Sequence, residues 1–339
     1  MKGRRIVLDH LDNREAAALM VDGTLHDLLI DGDAPRPGTV YRAVADRPVK
    51  GQGGMFLKTP DGAAFLRQVR GLSPGRPLLA QVSGYAESGK AIPVTQKLLF
   101  KSRYAIITPG APGLNISRAI RDESLRDHLL ELAHDIMGEA TDGLILRSCA
   151  AHADAFDIEE DIQAMKALAR KVLDDDSRDM VKLVEGDGPH VLAWRDWAAP
   201  ADVVMQDGSF GAEGVLAALD ALRGSRVGLE GGAHIFVEPT RALVAVDVNT
   251  GSDVSIAAGL KANLACARAL PRLLRIKGLG GQIVLDLAPM PKKDRRSFET
   301  ALRQAFKSDE IETALVGWTP LGHYELNRKR ARRALHEVF

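Results

Sequence analysis

Two apolar strands that each carry a single aspartate near their end constrain this chain more than any other feature. "VAVDVNTG" places Asp247 before an Asn-Thr-Gly turn, and "GGQIVLDL" places Asp286 in the same position of a second strand. A helical segment, "GLKANLACARALPRLLRIKGLG", lies between them. A regular crossover of this kind makes the two strands parallel neighbours. We therefore expect both aspartates at the same edge of one sheet.

Two carboxylates at one sheet edge can hold a divalent metal ion, because neighbouring strands are about 4.8 Å apart. Ligands of open α/β sheets bind beyond the carboxyl ends of the strands, and ligation by oxygen alone favours Mg²⁺, with Mn²⁺ also acceptable. Asn249 follows Asp247 by two residues and points to the same side, where it can hydrogen-bond a water or a phosphate oxygen. The alternative is that each aspartate only ends its strand through an Asx turn.

The rest of the chain divides into segments of different character. Short strands with glycine turns run from Gly38 to about Lys101 and predict a small barrel. Two segments with helical periodicity follow, and the C-terminal third alternates strand and helix, which predicts an α/β domain. We also expect a strand at "HVLAWRD" and a basic terminal helix over "ELNRKRARRALHEVF".

The composition is typical of a soluble globular protein with two or three domains. The chain has 339 residues, of which 45% are hydrophobic and 27% charged, and its formal net charge is zero. A nucleic-acid partner would therefore be bound by local basic clusters, "PKKDRR" and "NRKRARR", unless these are only solvated helix faces. Cys149 and Cys266 form no CxxC pair, which argues against a disulfide framework and a cysteine zinc site and favours a reducing cytoplasm. We expect no signal peptide and no membrane span.

The segment "GGAHIFVEPTRALVAVDVNTG", followed by "NLACARALPRLLRIKGLGGQIVLDLAPM", resembles the catalytic region of the ribonuclease E/G family of bacterial endoribonucleases. The resemblance implies that Asp247 and Asp286 are magnesium ligands and that Asn249 supports them. It also implies a mixed α/β multidomain fold with four parts: an RNase H-like subdomain (1–35 and 178–226, shortened), an OB-fold RNA-binding insert (36–101), a 5′-sensor-like region (102–177) and a DNase I-like α/β catalytic subdomain (227–339).

The resemblance extends to residues that would contact RNA. By position, Phe56, Phe65 and Lys90 match RNA-contacting residues of the insert. Exposed aromatic rings stack on bases at about 1–3 kcal/mol each, and lysine binds phosphate. The alternative for the two phenylalanines is a place in the barrel core, where apolar strand residues usually lie.

The segment "GLILRSCA" matches the family's pocket for a 5′-monophosphate. The resemblance implies that Arg147 binds the phosphate bidentately, with Ser148, Ile106 and Ser102 beside it. Without the resemblance, Arg147 is an ordinary strand arginine, solvated or ion-paired.

Several departures from the family pattern affect these expectations. Ser102 stands where the family has glycine, and Glu312 falls where the family has a further pocket arginine, which would weaken binding of a 5′-phosphate. Pro289 replaces an acidic residue. The family continues beyond "RRALHEVF" into a CPxC zinc link and, in longer members, a regulatory tail. We therefore expect no zinc site and no zinc-linked dimer, and the oligomeric state stays open.

These features predict a cytoplasmic, Mg²⁺-dependent endoribonuclease that cuts single-stranded RNA during processing or decay of ribosomal and messenger RNA. Metal-activated water would attack the phosphodiester, and the resemblance implies 5′-phosphate and 3′-hydroxyl ends. DNA is not the expected substrate. One alternative is an RNA-binding homologue with weak or lost catalysis. Another is a metal phosphoesterase for small nucleotides, against which the barrel insert argues.

Overall fold

The computed structural model describes residues 3–49, 51, 53–69, 71–138 and 141–338. The chain divides into two compact units. Unit 1 consists of Met1–Gly32 with Ala201–Phe339, and unit 2 consists of Asp33–Pro200. Within the described ranges, no helix has the length and apolar character needed to cross a membrane.

The strands among the described residues are numbered in chain order: β1 Arg4–Leu11, β2 Arg14–Val21, β3 Thr24–Ile30, β4 Val40–Val49, β5 Gly54–Thr59, β6 Gly62–Leu66, β7 Pro77–Val82, β8 Ile92–Thr95, β9 Phe100–Lys101, β10 Ala105–Thr108, β11 Gly113–Ile116, β12 Gly143–Leu146, β13 Val181–Val184, β14 Asp202–Met205, β15 Arg226–Gly228, β16 His234–Pro239, β17 Val244–Asn249, β18 Gly281–Asp286, β19 Thr313–Trp318 and β20 Tyr324–Arg328.

The α-helices of the same ranges are α1 Glu123–Met137, α2 Ala155–Leu173, α3 Pro189–Asp196, α4 Ser209–Ala212, α5 Val215–Arg223, α6 Ala258–Ile276, α7 Arg295–Lys307 and α8 Leu335–Val338. Short 3₁₀ helices span Ser148–His152, Glu230–Gly232 and Lys292–Asp294.

Unit 1 contains two sheets. The first has the strand order β14-β1-β2-β3, and the second has the order β15-β16-β17-β18-β20-β19. In the second sheet β16 and β17 form an antiparallel hairpin, and β17 and β18 are parallel. Helix α6 connects these two parallel strands and packs in the same hydrophobic core. The predicted strand–helix–strand unit is therefore present.

Alternate residues of β17 and β18 face opposite sides of the sheet, as the period of a strand requires. The residues on the core side are Val244, Val246, Val248, Ile283 and Leu285. Asp247, Asn249 and Asp286 alternate with them and face the other, open side. The apolar positions thus fix the strand orientation and leave the polar residues accessible.

Unit 2 contains a five-stranded barrel and a small sheet. The barrel strands follow the order β4-β5-β6-β8-β7, and pairing of β4 with β7 closes the ring. Its core includes Tyr41, Leu57, Leu66 and Val82. The small barrel predicted from the glycine-punctuated strands is confirmed, and its form is OB-like. The second sheet, β11-β12-β10-β9, shares a separate core with α1 and α2.

Two predicted elements are wrong. The segment "HVLAWRD" belongs to helix α3, which begins at Pro189, a residue favoured in the first helical turn. The basic C-terminal segment contains strand β20 and the four-residue helix α8 in place of one long helix. Tyr324, Leu326 and Arg328 are all buried, and this period of two is a strand pattern. Arg328 is buried because it forms an ion pair with the buried Asp309 at 3.1 Å.

Candidate active site

Asp247 and Asp286 are directly paired between the parallel strands β17 and β18. Both side chains are exposed on the open face of the sheet. The sequence-based expectation that the two strand ends meet at one edge is therefore confirmed by the strand pairing. Their role as metal ligands stays a prediction.

The amide of Asn249 supports Asp247. Its Nδ2 donates a hydrogen bond to Oδ2 of Asp247 at 2.8 Å. The strand pattern predicts contact of this amide with a water or a phosphate oxygen, and the family resemblance implies that it supports the aspartates; the hydrogen bond to Asp247 is of the supporting kind. Asn249 can do so because residues two apart in a strand face the same side.

His323 lies beside the second carboxylate, with Nδ1 3.3 Å from Oδ1 of Asp286. Histidine spacing in the sequence gave no indication of this contact. It arises because β20 pairs antiparallel with β18, with Tyr324 opposite Leu285. The residue before β20 is thereby brought to the end of β18. Only the register of these two strands could have revealed it.

The donor set at this edge fits a hard divalent cation. The two paired carboxylates offer oxygen atoms, which Mg²⁺ and Mn²⁺ prefer. Among the residues that the structure describes, neither carboxylate forms an ion pair with lysine or arginine. Two adjacent negative charges repel each other, and a bound divalent cation would relieve that repulsion.

A different cluster of possible ligands lies in the first sheet of unit 1. Within the described parts of the chain, Asp9, His10 and Asp207 have ligand atoms within 4.8 Å of one another. The Asp9 carboxylate, however, accepts the backbone N–H groups of His10 and Phe210, each at 2.8 Å. Burial alone would raise the pKa of Asp9, but backbone hydrogen bonds from Phe210, His10 and Gly208 outweigh it and lower this pKa. These bonds fix the start of α4 and explain Asp9 without a metal.

Phe56 and Phe65 form a cross-strand pair on the barrel. They are register partners in β5 and β6, with ring centroids 5.3 Å apart. Neither belongs to the barrel core, whereas their neighbours Leu57 and Leu66 do. The Arg47 guanidinium lies 5.1 Å from the Phe56 ring. The pair is therefore placed where bases can reach it, although RNA contact itself stays a prediction.

Lys90, the third expected RNA contact, lies in the connection between β7 and β8. Its side chain is exposed and forms an ion pair with Glu87. Its backbone N–H donates to the Glu87 carbonyl at 2.9 Å. An RNA phosphate would compete with the half-buried Glu87 carboxylate for this ammonium group.

Arg147 is already engaged by protein groups. Its guanidinium donates to the carbonyl oxygens of Ser102 at 2.6 Å and Arg195 at 3.1 Å, and it pairs with the Asp196 carboxylate at 2.8 Å. Burial alone would raise the pKa of Asp196, but Arg195 and then Arg147 outweigh burial and lower it. Arg147 is thus ion-paired, as expected of an ordinary strand arginine.

The other residues expected in this pocket are near one another but differ in exposure. The hydroxyl of Ser102 is buried and donates to the Asp161 carboxylate at 2.5 Å, so only its carbonyl contacts Arg147. Ile106 is half-buried in β10 opposite Ile145 of β12. Ser148 is exposed at the start of a 3₁₀ helix.

The two basic clusters differ in their environment. Lys292 and Lys293 are exposed on the 3₁₀ helix that follows β18. In the second cluster Arg328 pairs with Asp309, and Arg332 pairs with Asp27 at 3.1 Å. These two arginines belong to the interior ion pairs of unit 1, so the description of that cluster as a solvated helix face is wrong.

Comparisons with known proteins identify the family of the chain. Residues 100–201 and 202–331 match the sequence model of the Ribonuclease E/G family. The chain is 26% identical to ribonuclease G of Salmonella typhimurium (strain SL1344) over 384 residues, which cover 93% of this chain and 78% of that protein. It is 26% identical to ribonuclease E of Synechocystis sp. (strain ATCC 27184 / PCC 6803 / Kazusa) over 387 residues, which cover 97% of this chain and 57% of that protein. The chain belongs to the ribonuclease E/G family.

Proposed function

We propose that this chain is a Mg²⁺-dependent endoribonuclease that hydrolyses single-stranded RNA. Family membership supports the endoribonuclease activity. The observation that carries the metal dependence is the in-register pairing of Asp247 and Asp286 on an open sheet face. Because neither carboxylate is paired with lysine or arginine among the described residues, the two suit a divalent ion better than a structural ion pair.

The residues of the site have different roles. Asp247 and Asp286 would hold the ion, and Asn249 holds Asp247 through its hydrogen bond at 2.8 Å. When bound, a divalent ion lowers the pKa of a coordinated water and offsets the charge of the phosphodiester. The exposed Lys292 and Lys293 follow the Asp286 strand and are available to bind flanking phosphates.

The barrel supplies a surface suited to the bases of the RNA. Phe56 and Phe65 present adjacent rings outside the barrel core. Base stacking on such rings tolerates any sequence, because every base has a π-face. This supports single-stranded RNA over a mononucleotide as the substrate.

We assign residues 1–35 and 178–226 to a shortened RNase H-like subdomain, 36–101 to an OB-fold insert, 102–177 to a 5′-sensor-like region and 227–339 to a DNase I-like catalytic subdomain. Cleavage would leave 5′-phosphate and 3′-hydroxyl ends. RNA processing or decay in the cytoplasm is the setting that fits such an activity.

The test is a cleavage assay on an internally labelled single-stranded RNA in Mg²⁺. We expect internal cuts by the wild-type protein, and loss of cutting with EDTA and in Asp247→Asn and Asp286→Asn. Asp207→Asn, in the other acidic cluster, is the matched control and should cut normally. RNA binding without cuts in Mg²⁺ or Mn²⁺ would support a binding homologue, and hydrolysis of mononucleotides alone would support a phosphoesterase.

A further inference from the structure

We infer that His323 is a positioning residue that donates a hydrogen bond from Nδ1 to Asp286 and so holds this carboxylate ready for the metal ion. The inference rests on the proposed function, since it concerns the same site. It adds a residue that neither the spacing of motifs nor the family resemblance indicated.

The environment of the ring assigns this role. Nδ1 of His323 lies 3.3 Å from Oδ1 of Asp286. The atom is enclosed, and within the described residues it has no aligned hydrogen-bond partner. Leaving an enclosed polar atom unpaired costs about 1–3 kcal/mol. A small shift of the Asp286 carboxylate would satisfy it, and hydrogen bonds of catalytic groups are often long before the site is loaded.

The backbone of the β19–β20 turn fixes the position of His323. The Thr319 N–H donates to the carbonyl of His323 at 2.8 Å, and the His323 N–H donates to Oγ1 of Thr319 at 3.1 Å. The next residue, Tyr324, is buried, with its ring 5.2 Å from that of Trp318. The imidazole is therefore attached to a rigid part of the sheet.

The two proposed metal ligands would then be supported in the same way. Asn249 orients Asp247, and His323 orients Asp286. Outer groups that fix a ligating carboxylate raise metal affinity because the ligand no longer has to be ordered on binding. Donation from Nδ1 fixes the tautomer and leaves Nε2 as an acceptor. Direct ligation by His323 is disfavoured, since Mg²⁺ prefers oxygen.

The experiment measures Mn²⁺ affinity by electron paramagnetic resonance, with Mn²⁺ as the probe ion. His323→Ala should weaken Mn²⁺ binding by about 10-fold, the lower end of the range observed when a group that hydrogen-bonds a metal ligand is removed. His323→Asn should restore most of the affinity, because its amide nitrogen occupies the place of Nδ1. His323→Gln should not, because its amide lies at the place of Nε2. His336→Asn, an exposed histidine of the same unit, is the matched control.

Two results would overturn the inference. The first is that His323→Ala and His323→Gln both bind Mn²⁺ as tightly as the wild type, although Asp286→Asn no longer binds it. The second is a directly bound nitrogen in the Mn²⁺ spin-echo spectrum that disappears in His323→Ala, which would make His323 a ligand. Failure of the proposed function has a different signature, since Asp247→Asn and Asp286→Asn would then retain both Mn²⁺ affinity and RNA cleavage.

Discussion

Arg147 and Asp196 form an ion pair at 2.8 Å in which both side chains are largely buried. The same guanidinium also donates to three backbone carbonyl oxygens, those of Ser102, Arg103 and Arg195. The family resemblance assigns Arg147 to a 5′-phosphate pocket, yet a phosphate would have to share this guanidinium with a carboxylate. Repulsion between the two anions would weaken phosphate binding.

The ion pair predicts a weak dependence of cleavage on the RNA 5′ end. The wild-type protein should cut 5′-monophosphorylated and 5′-hydroxylated forms of one RNA at similar rates. Asp196→Asn removes the competing charge and should raise the ratio in favour of the monophosphate. Single-turnover rates on the two substrates measure this ratio. A strong monophosphate preference in the wild type, reduced by Asp196→Asn, would contradict the prediction.

The ionisation of Asp196 makes the stability of the folded protein depend on pH. Its pKa in the folded protein is lowered from 3.8, because Arg195 and Arg147 outweigh the opposing effect of burial. A depressed folded-state pKa stabilises the protein above the unfolded value, and this stabilisation is lost as pH falls through the folded value. Thermal melts should therefore show a loss below about pH 4. Asp196→Asn should melt at a lower temperature than the wild type at pH 7, and its melting temperature should fall less below pH 4. Asp154 is exposed, and Asp154→Asn should show the same pH dependence as the wild type.

The Phe56–Phe65 pair predicts a loss of RNA affinity without a loss of stability. Each change to alanine should weaken binding of single-stranded RNA by about 1–3 kcal/mol, measured by fluorescence anisotropy. The melting temperature should change little, because both rings lie outside the barrel core. Leu57→Ala, in the core, should instead destabilise the protein by about 2–5 kcal/mol. Wild-type RNA affinity in both phenylalanine variants would exclude a stacking role.

The two basic clusters should respond oppositely to mutation. Arg328→Ala removes a buried partner of Asp309, which keeps its ion pair with Arg275 at 2.6 Å; loss of a buried partner costs up to about 3–5 kcal/mol. Urea unfolding should show this loss. Lys292→Ala and Lys293→Ala should leave unfolding unchanged, weaken RNA binding and each lower the salt slope by about 1. An unaltered salt slope in the double variant would remove this cluster from the RNA-binding surface.

The sequence predicted those features that depend on neighbouring elements of the chain. The pairing of Asp247 with Asp286 follows from two strands joined by one helix, which leaves few possible arrangements. The closed barrel follows from its regular strands and glycine turns. The outward position of Phe56 could also have been derived, because Leu57 beside it must face the core.

Contacts between segments that are distant in the chain could not be predicted from the sequence. His323 reaches Asp286 only through the register of β18 and β20. Arg147 meets Asp196 at the end of α3, 49 residues further along the chain, and α3 was itself expected to be a strand. Arg328 was grouped with a basic cluster expected to bind nucleic acid or to be solvated, because its buried partner Asp309 lies 19 residues earlier in the chain. In each case the local pattern is ambiguous and tertiary packing decides the outcome.

The central claim is that Asp247 and Asp286 hold the catalytic metal ion. Its most direct test is anomalous diffraction from crystals of the protein grown with Mn²⁺. We predict one strong peak in contact with both carboxylates, absent in Asp286→Asn. A peak at Asp9, His10 and Asp207 with none between Asp247 and Asp286 would contradict the account and move the metal to the first sheet of unit 1.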